Sequence, residues 1–229
     1  MRKQNFLLLD VETAGGLGNP LIYDLGFAIV NREGEVLEKH SFLIKEVFNE
    51  PTLMNSAYYA EKIPSYVNEL KNSKHKLVPF AYAIKVMMNA AKAHNVETVS
   101  AYNLAFDLRA LNSTSKYLKG KGFTFYNKIQ LCIWSLACEV LFTQKTYQKV
   151  ARREGWVSQA GNVKTSAEMA FRYITGDYNF IEEHKGLSDV LIEAQILAKC
   201  IRQKKKVKSG VLVMPWKIPN KKHLTPAGV

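Results

Sequence analysis

Two carboxylates, Asp10 and Glu12, stand one residue apart in the stretch "NFLLLDVETAGG" that covers residues 5–16. Four apolar residues, Phe6 to Leu9, precede them, and small residues and glycines follow. Side chains two apart on a strand point to one face, so these anions project together. In a partly dry site they repel each other. A divalent cation between them would turn the repulsion into attraction, and an all-oxygen pair suits Mg²⁺ or Mn²⁺. Alone the pair is a weak signal: a D-x-E arises by chance in a chain of this composition roughly one time in three. Two solvated carboxylates at a strand end fit it as well.

The chain has five aspartates, and two more of them sit at helix starts. Asp107 lies in "SAYNLAFDLRAL", where a short strand runs into a helix and Asn103 can bond the turn. Asp189 lies in "EEHKGLSDVLIEA", with Ser188 as a candidate N-cap. Each also fits an ordinary partner of a helix dipole. His184 precedes Asp189 by five residues, in a loop with a glycine. Histidine titrates near neutral pH and can take a proton from water, and beside carboxylates its pKa is expected to rise.

The elements that must carry these residues follow from periodicity. Residues 3–10 predict a first strand. "LIYDLGFAIVN" (21–31) and "EVLEKHSFLIK" (35–45) predict an antiparallel hairpin joined by the turn "NREG". Residues 51–95 read as helical, punctuated by Pro51, Pro64 and Pro79. Residues 97–103 predict a short strand and 105–118 a helix. Residues 128–134 predict a fifth strand, leading into a helix through Leu141. "TSAE" predicts a capping box of Thr165 with Glu168, and residues 188–203 an amphipathic last helix. Three strands followed by strands alternating with helices predict an α/β domain with a mixed five-stranded sheet flanked by helices.

Composition sets the surroundings. The 229 residues are 47% hydrophobic, enough for one sizeable core, and no stretch approaches the roughly 20 apolar residues of a membrane span. Cys132, Cys138 and Cys200 show neither a CxxC pair nor metal-finger spacing, so reduced thiols and a cytoplasmic setting are expected. The net charge is +12, but no acidic residue follows Glu193. Nine Lys and Arg lie beyond it, among them Lys204, Lys205, Lys206 and Lys208; the rest of the chain has 23 basic against 20 acidic residues. The tail therefore supplies most of the basicity, as a segment contacting a polyanion such as nucleic acid would. A solvated tail is the other reading. Domain boundaries of 1–203 for the body and 204–229 for a basic extension follow. Within that extension, residues 211–213 could add a strand. Trp216 could pack on the body, stack on a base or dock a partner.

Taken together and in order, Asp10, Glu12, Asp107, His184 and Asp189 resemble the DEDD superfamily of 3′–5′ exonucleases, whose domain is a ribonuclease H-like fold. "LLLDVETAG" is similar to the first motif, "AYNLAFDLRAL" to the second, and "HKGLSDV" to the third, H-x4-D. Lys185 stands where the other branch has Tyr, so the resemblance is to the histidine branch. It spans about residues 4–203. Two departures stand out: E-T-A-G-G for the usual E-T-T-G, and Tyr102 where a His is common.

The resemblance implies two Mg²⁺ or Mn²⁺ ions. Asp10, Glu12 and Asp189 would hold the first, with Asp10 shared, and Asp107 the second through water. His184 would be the general base, and nucleoside monophosphates would leave from a 3′ end. Thr13, Leu17 and Phe106 are candidates to abut the terminal nucleotide, although Phe106 also fits a core position. Asn103 would support the turn or touch substrate. The expected partner is single-stranded nucleic acid, DNA favoured over RNA. A polymerase or other replication protein is a further candidate partner, and the oligomeric state is open. Two alternatives remain: a nucleic-acid-binding or polymerase-associated accessory module, and an RNA exonuclease of oligoribonuclease or ribonuclease T type.

Overall fold

The computed structural model describes residues 4–72, 75–203, 210 and 212–220. One sheet runs through it in the order β4-β3-β2-β1-β5-β6. β1 (Asn5–Ala14), β2 (Leu21–Asn31) and β3 (Val36–Ile44) form an antiparallel meander. β4 (Lys76–Val78), β5 (Thr98–Ala101) and β6 (Ile129–Cys132) join in parallel, β4 on β3, β5 on β1 and β6 on β5. Around the sheet lie α1 (Lys45–Phe48), α2 (Pro51–Met54), α3 (Ile63–Lys71), α4 (Phe80–Ala93), α5 (Leu104–Lys119), α6 (Ile133–Val140), α7 (Lys145–Arg153), α8 (Ala167–Thr175) and α9 (Gly186–Gln203).

The unbroken apolar run of β1 has a simple cause: the strand is covered on both faces. Leu7, Leu9 and Val11 join one core with residues of α4 and α5. Phe6 and Leu8 join a second core with residues of α6, α8 and α9. Phe6 to Leu9 are each no more than 2% exposed, and burial of this kind contributes roughly 1.5–3 kcal/mol per side chain. Asp10 and Glu12 continue the alternation of Phe6 and Leu8, so they belong to the face that α9 covers.

Glycine lets α9 sit down on that face. Gly26 opposes Asp10 in the β1–β2 register. A Cβ on Gly26 would lie 2.1 Å from the Gly186 carbonyl carbon, and one on Gly186 would lie 2.6 Å from the Gly26 nitrogen. The first turn of α9 thus packs backbone to backbone on the sheet beside Asp10.

Several expectations need correction. The sheet has six strands, not five. The extra one, β4, has three residues on the sheet edge, too few to show a period of two inside a stretch that otherwise reads as helical. β1 does not end at Asp10; it pairs with β2 through Ala14, with a register shift between Glu12 and Thr13. The carboxylates therefore lie within the ladder. α9 begins at Gly186, and Ser188 donates to Glu183 instead of capping it. The cap of α8 is Ser166, whose Oγ accepts from the Met169 N–H, while Thr165 accepts from the Trp134 indole and Glu168 pairs with Arg172.

Lys204, Lys205, Lys206, Lys208 and Val211 lie outside the described residues. The neighbouring piece folds back on the body. Gly210 bridges to Leu131, the Leu212 N–H donates to Ser135, and buried Asn220 holds the Val163 backbone through its side-chain amide. Trp216 is half-buried with Lys217 over its ring. All three cysteines are free and buried. No helix among the described residues is long and apolar enough to cross a membrane.

Candidate active site

The β1 register and the seating of α9 bring residues from opposite ends of the chain together. Asp10, Glu12 and Asp189 each offer an oxygen, and the three oxygens lie within 4.8 Å of one another. Glu182, His184 and Asp189 form a second such group, sharing Asp189. Asp107, one turn into α5, is 2% exposed and stands electrostatically against Asp10.

This concentration of buried carboxyl groups dominates the electrostatics. Burial, then the charges of Glu182 and Asp24, raise the Asp10 pKa to about 8. Burial, then Asp10 and Asp189, raise Glu12 to about 10. Burial, then Asp10 and Glu182, raise Asp189 to about 9. Asp107 is pushed well above the carboxylate range by burial and by Asp10. Lys62 opposes these shifts at Glu12 and Asp189. Asp10 Oδ2 and Asp189 Oδ1 are buried without a hydrogen-bond partner. Three carboxylate oxygens within 4.8 Å of one another, with unpartnered buried oxygens on Asp10 and Asp189, fit hard divalent cations.

His184 behaves differently from expectation. Its pKa is lowered, first by burial and then by Lys62, and these outweigh the acidic residues around it. The ring stays neutral near pH 7 as a result. Nδ1 lies 4.0 Å from Glu182 Oε2, and the ring stacks on Tyr59 with centroids 4.6 Å apart.

The remaining sequence candidates differ in exposure. Thr13 is buried, and its carbonyl accepts from the Tyr58 N–H at 3.4 Å. Leu17 is 70% exposed on the glycine loop. Phe106 is half-buried, packed on the core with the Arg109 guanidinium over its ring. Asn103 makes its turn through the backbone: it has φ of 75°, and its carbonyl accepts from the Phe106 N–H. No side-chain cap accompanies it. Tyr102 donates its hydroxyl to the Thr165 carbonyl.

Sequence reasoning missed three carboxylates and two residues of the 51–75 stretch. Buried Asp24 accepts from the Tyr66 hydroxyl at 2.8 Å and from the Gly186 N–H at 3.1 Å, tying α3 and the start of α9 to β2. Glu193, 1% exposed, accepts from the Tyr102 N–H, and its other oxygen is unpartnered. Its pKa is raised by burial and then by Asp10 and Asp107. The spacing of four from Asp189 could have placed it on the same helix face. Glu182 is raised to about 7, mainly by burial. Tyr59 and Lys62 carry no sequence signal.

The chain has the ribonuclease H-like exonuclease fold, seen in solved structures that it resembles over most of its length. Escherichia coli exonuclease I in complex with a dT13 oligonucleotide aligns with a TM-score of 0.53 at 14% identity, covering 87% of this chain and 41% of that one. A product-bound exonuclease I aligns at 0.52 and 15%, covering 89% and 44%. Cell-death related nuclease 4 aligns at 0.50 and 12%, covering 87% and 64%. The chain thus spans less than two thirds of each, and at such identities the likeness establishes the fold. No family model and no curated protein matches the sequence.

Proposed function

We propose that this protein is a divalent-cation-dependent 3′–5′ exonuclease of the histidine branch of the DEDD superfamily, acting on single-stranded nucleic acid, with DNA favoured. One observation carries the proposal: Asp10, Glu12 and Asp189 converge within 4.8 Å, with unpartnered buried oxygens on Asp10 and Asp189, and His184 shares a second such group with Asp189. A scaffold without catalysis has no use for mutually repelling buried carboxylates. The likeness in fold to exonuclease I, solved with dT13, supports the substrate class.

Asp10, Glu12 and Asp189 would hold one Mg²⁺ or Mn²⁺, and Asp10 and Asp107 a second. Bound there, the cations would acidify water and stabilise charge on the attacking and leaving oxygens of the phosphodiester. His184, kept neutral by burial and Lys62, takes the proton of the attacking water. The water oxygen bonds to phosphorus, the bond from phosphorus to the 3′ oxygen breaks, that oxygen takes a proton from solvent water, and His184 returns its proton to solvent. A nucleoside 5′-monophosphate and a strand one residue shorter result. Exposed Leu17, with Thr13, Phe106 and Asn103, would border the terminal nucleotide. The basic residues of the 204–208 segment would contact phosphates without reading sequence, so that contribution falls with salt.

The test uses 5′-labelled single-stranded DNA, duplex DNA and RNA with Mg²⁺ or Mn²⁺. The wild-type protein should shorten single-stranded DNA from its 3′ end, and Asp10→Ala should not. Salt-sensitive binding without mononucleotide release would favour an accessory module. Faster loss of RNA than DNA would favour an RNA exonuclease. Undiminished degradation by Asp10→Ala would reject the proposal.

A further inference from the structure

The part of the 51–75 stretch that follows α2 has no place in the three motifs, yet it grips the loop before α9 at several points. The Tyr59 ring lies nearly parallel to the His184 imidazole, with centroids 4.6 Å and planes 13° apart. Lys62 Nζ donates to the Glu183 carbonyl and reaches the His184 carbonyl at 3.4 Å. The same ammonium lies 4.3 Å from the centre of the Tyr59 ring, so the two side chains brace each other. One residue on, Lys185 donates to Ser65 at 3.0 Å and pairs with Glu69.

The backbone shows why such a grip is needed. His184 has φ of 50°, a left-handed conformation that costs free energy for a residue with a side chain. Neighbouring contacts must hold it. Lys62 ties the two carbonyls that flank the strained φ,ψ pair, and Tyr59 covers one face of the ring.

We propose that Tyr59 and Lys62 are positioning residues for His184. Lys62 holds the loop carbonyls and Tyr59 holds the imidazole plane, so that a ring nitrogen stays beside Glu182 and Asp189. Neither gives or takes a proton in the proposed reaction. This inference rests on the hydrolytic reading above, which makes His184 the base.

The experiment combines kinetics with a spectroscopic reading. Tyr59→Ala and Lys62→Met should each lower kcat about 10- to 100-fold. Tyr59→Ala should leave KM and Mn²⁺ affinity within about threefold of wild type, whereas Lys62→Met, which removes a cation facing Glu12 and Asp189, should tighten Mn²⁺ binding. Tyr59→Phe and Lys62→Arg, which keep the ring and the charge, should recover most of that loss. Adding Tyr59→Ala to His184→Ala should cost nothing further, because the positioned group is already gone. In protein labelled at histidine, the His184 ring-proton resonances should move downfield in Tyr59→Ala, as the ring current of Tyr59 is lost, and hold in Tyr59→Phe. Full activity in both truncations, an additive double mutant or an unmoved His184 resonance would overturn the proposal. Should the wild-type protein show no Asp10-dependent hydrolysis, the functional reading fails by itself, and the resonance shift alone decides on the positioning.

Discussion

The carboxylates and the histidine are held by two different kinds of structure. Asp10 and Glu12 are fixed by β1, a strand paired with β2 along its length and covered on both faces, and Asp189 by a helix packed backbone to backbone on β2 at Gly26. His184 sits on a strained loop steadied by a few side chains from a partly exposed segment. The anions need a frame stiff enough to resist their repulsion. A base at His184 would need an accessible ring, and a loop gives it one. Cations and water would then meet at a boundary between rigid and adjustable parts.

That contrast predicts its own breaking points. The largest effect should come from Gly26→Ala. Its Cβ would fall 2.1 Å from the Gly186 backbone, and neither the strand nor the helix can give way cheaply. Denaturant unfolding should show a loss of roughly 3 kcal/mol or more, as overpacking of a well-filled contact does. Cation affinity should fall with it as α9 carries Asp189 away from Asp10. An unchanged midpoint would mean that the seating of α9 is soft.

A subtler break lies in the charges. The folded pKa values of Asp10, Asp189 and Glu12 stand at about 8, 9 and 10, above their ordinary values near 4. The folded protein then binds more protons than the unfolded chain between those limits, so its stability should decline as pH rises from about 5 to 9. Mn²⁺ or Mg²⁺ should reverse the decline by neutralising the same oxygens. Urea midpoints at several pH values, with and without the cation, check both signs. A stability that rises with pH in the cation-free protein would contradict the electrostatic account.

Glu193, on α9 beside that cluster, should respond less. Glu193→Gln keeps the bond from the Tyr102 N–H and removes one titratable carboxyl group facing Asp10 and Asp107. The cation-free protein should gain stability at pH 8, and Mn²⁺ affinity should fall by about tenfold or less. Calorimetric titration with Mn²⁺ measures the second effect. The smallest change should be Ser166→Ala, the loss of a single helix cap on α8, at about 1 kcal/mol.

How much of this was legible in the sequence follows the same division. The motif residues on β1, α5 and α9 were readable because a strand period or a helix start fixes where they point. The hairpin of β2 and β3, the later strands β5 and β6 and the mixed character of the sheet followed from apolar runs and their order. β4 was not readable, since three edge residues carry no period. Ser166 was mistaken for its neighbour because Thr165 and Glu168 match a capping box in type, while the Trp134 indole takes the Thr165 hydroxyl. Tyr59 and Lys62 were invisible for a different reason: their partners lie more than 120 residues away and are a ring face and backbone carbonyls. The fall in the His184 pKa was equally hidden, because Lys62 and burial outweigh the carboxylates that the motif advertises.

The central claim is that the Asp10, Glu12 and Asp189 cluster trades stability for cation-dependent hydrolysis. Asp10→Asn tests it most directly, assayed at pH 8 with Mn²⁺ on 5′-labelled single-stranded DNA alongside urea unfolding of the cation-free protein. The account predicts a variant that unfolds at higher urea than wild type and produces no ladder. A variant that shortens the strand at the wild-type rate would contradict it.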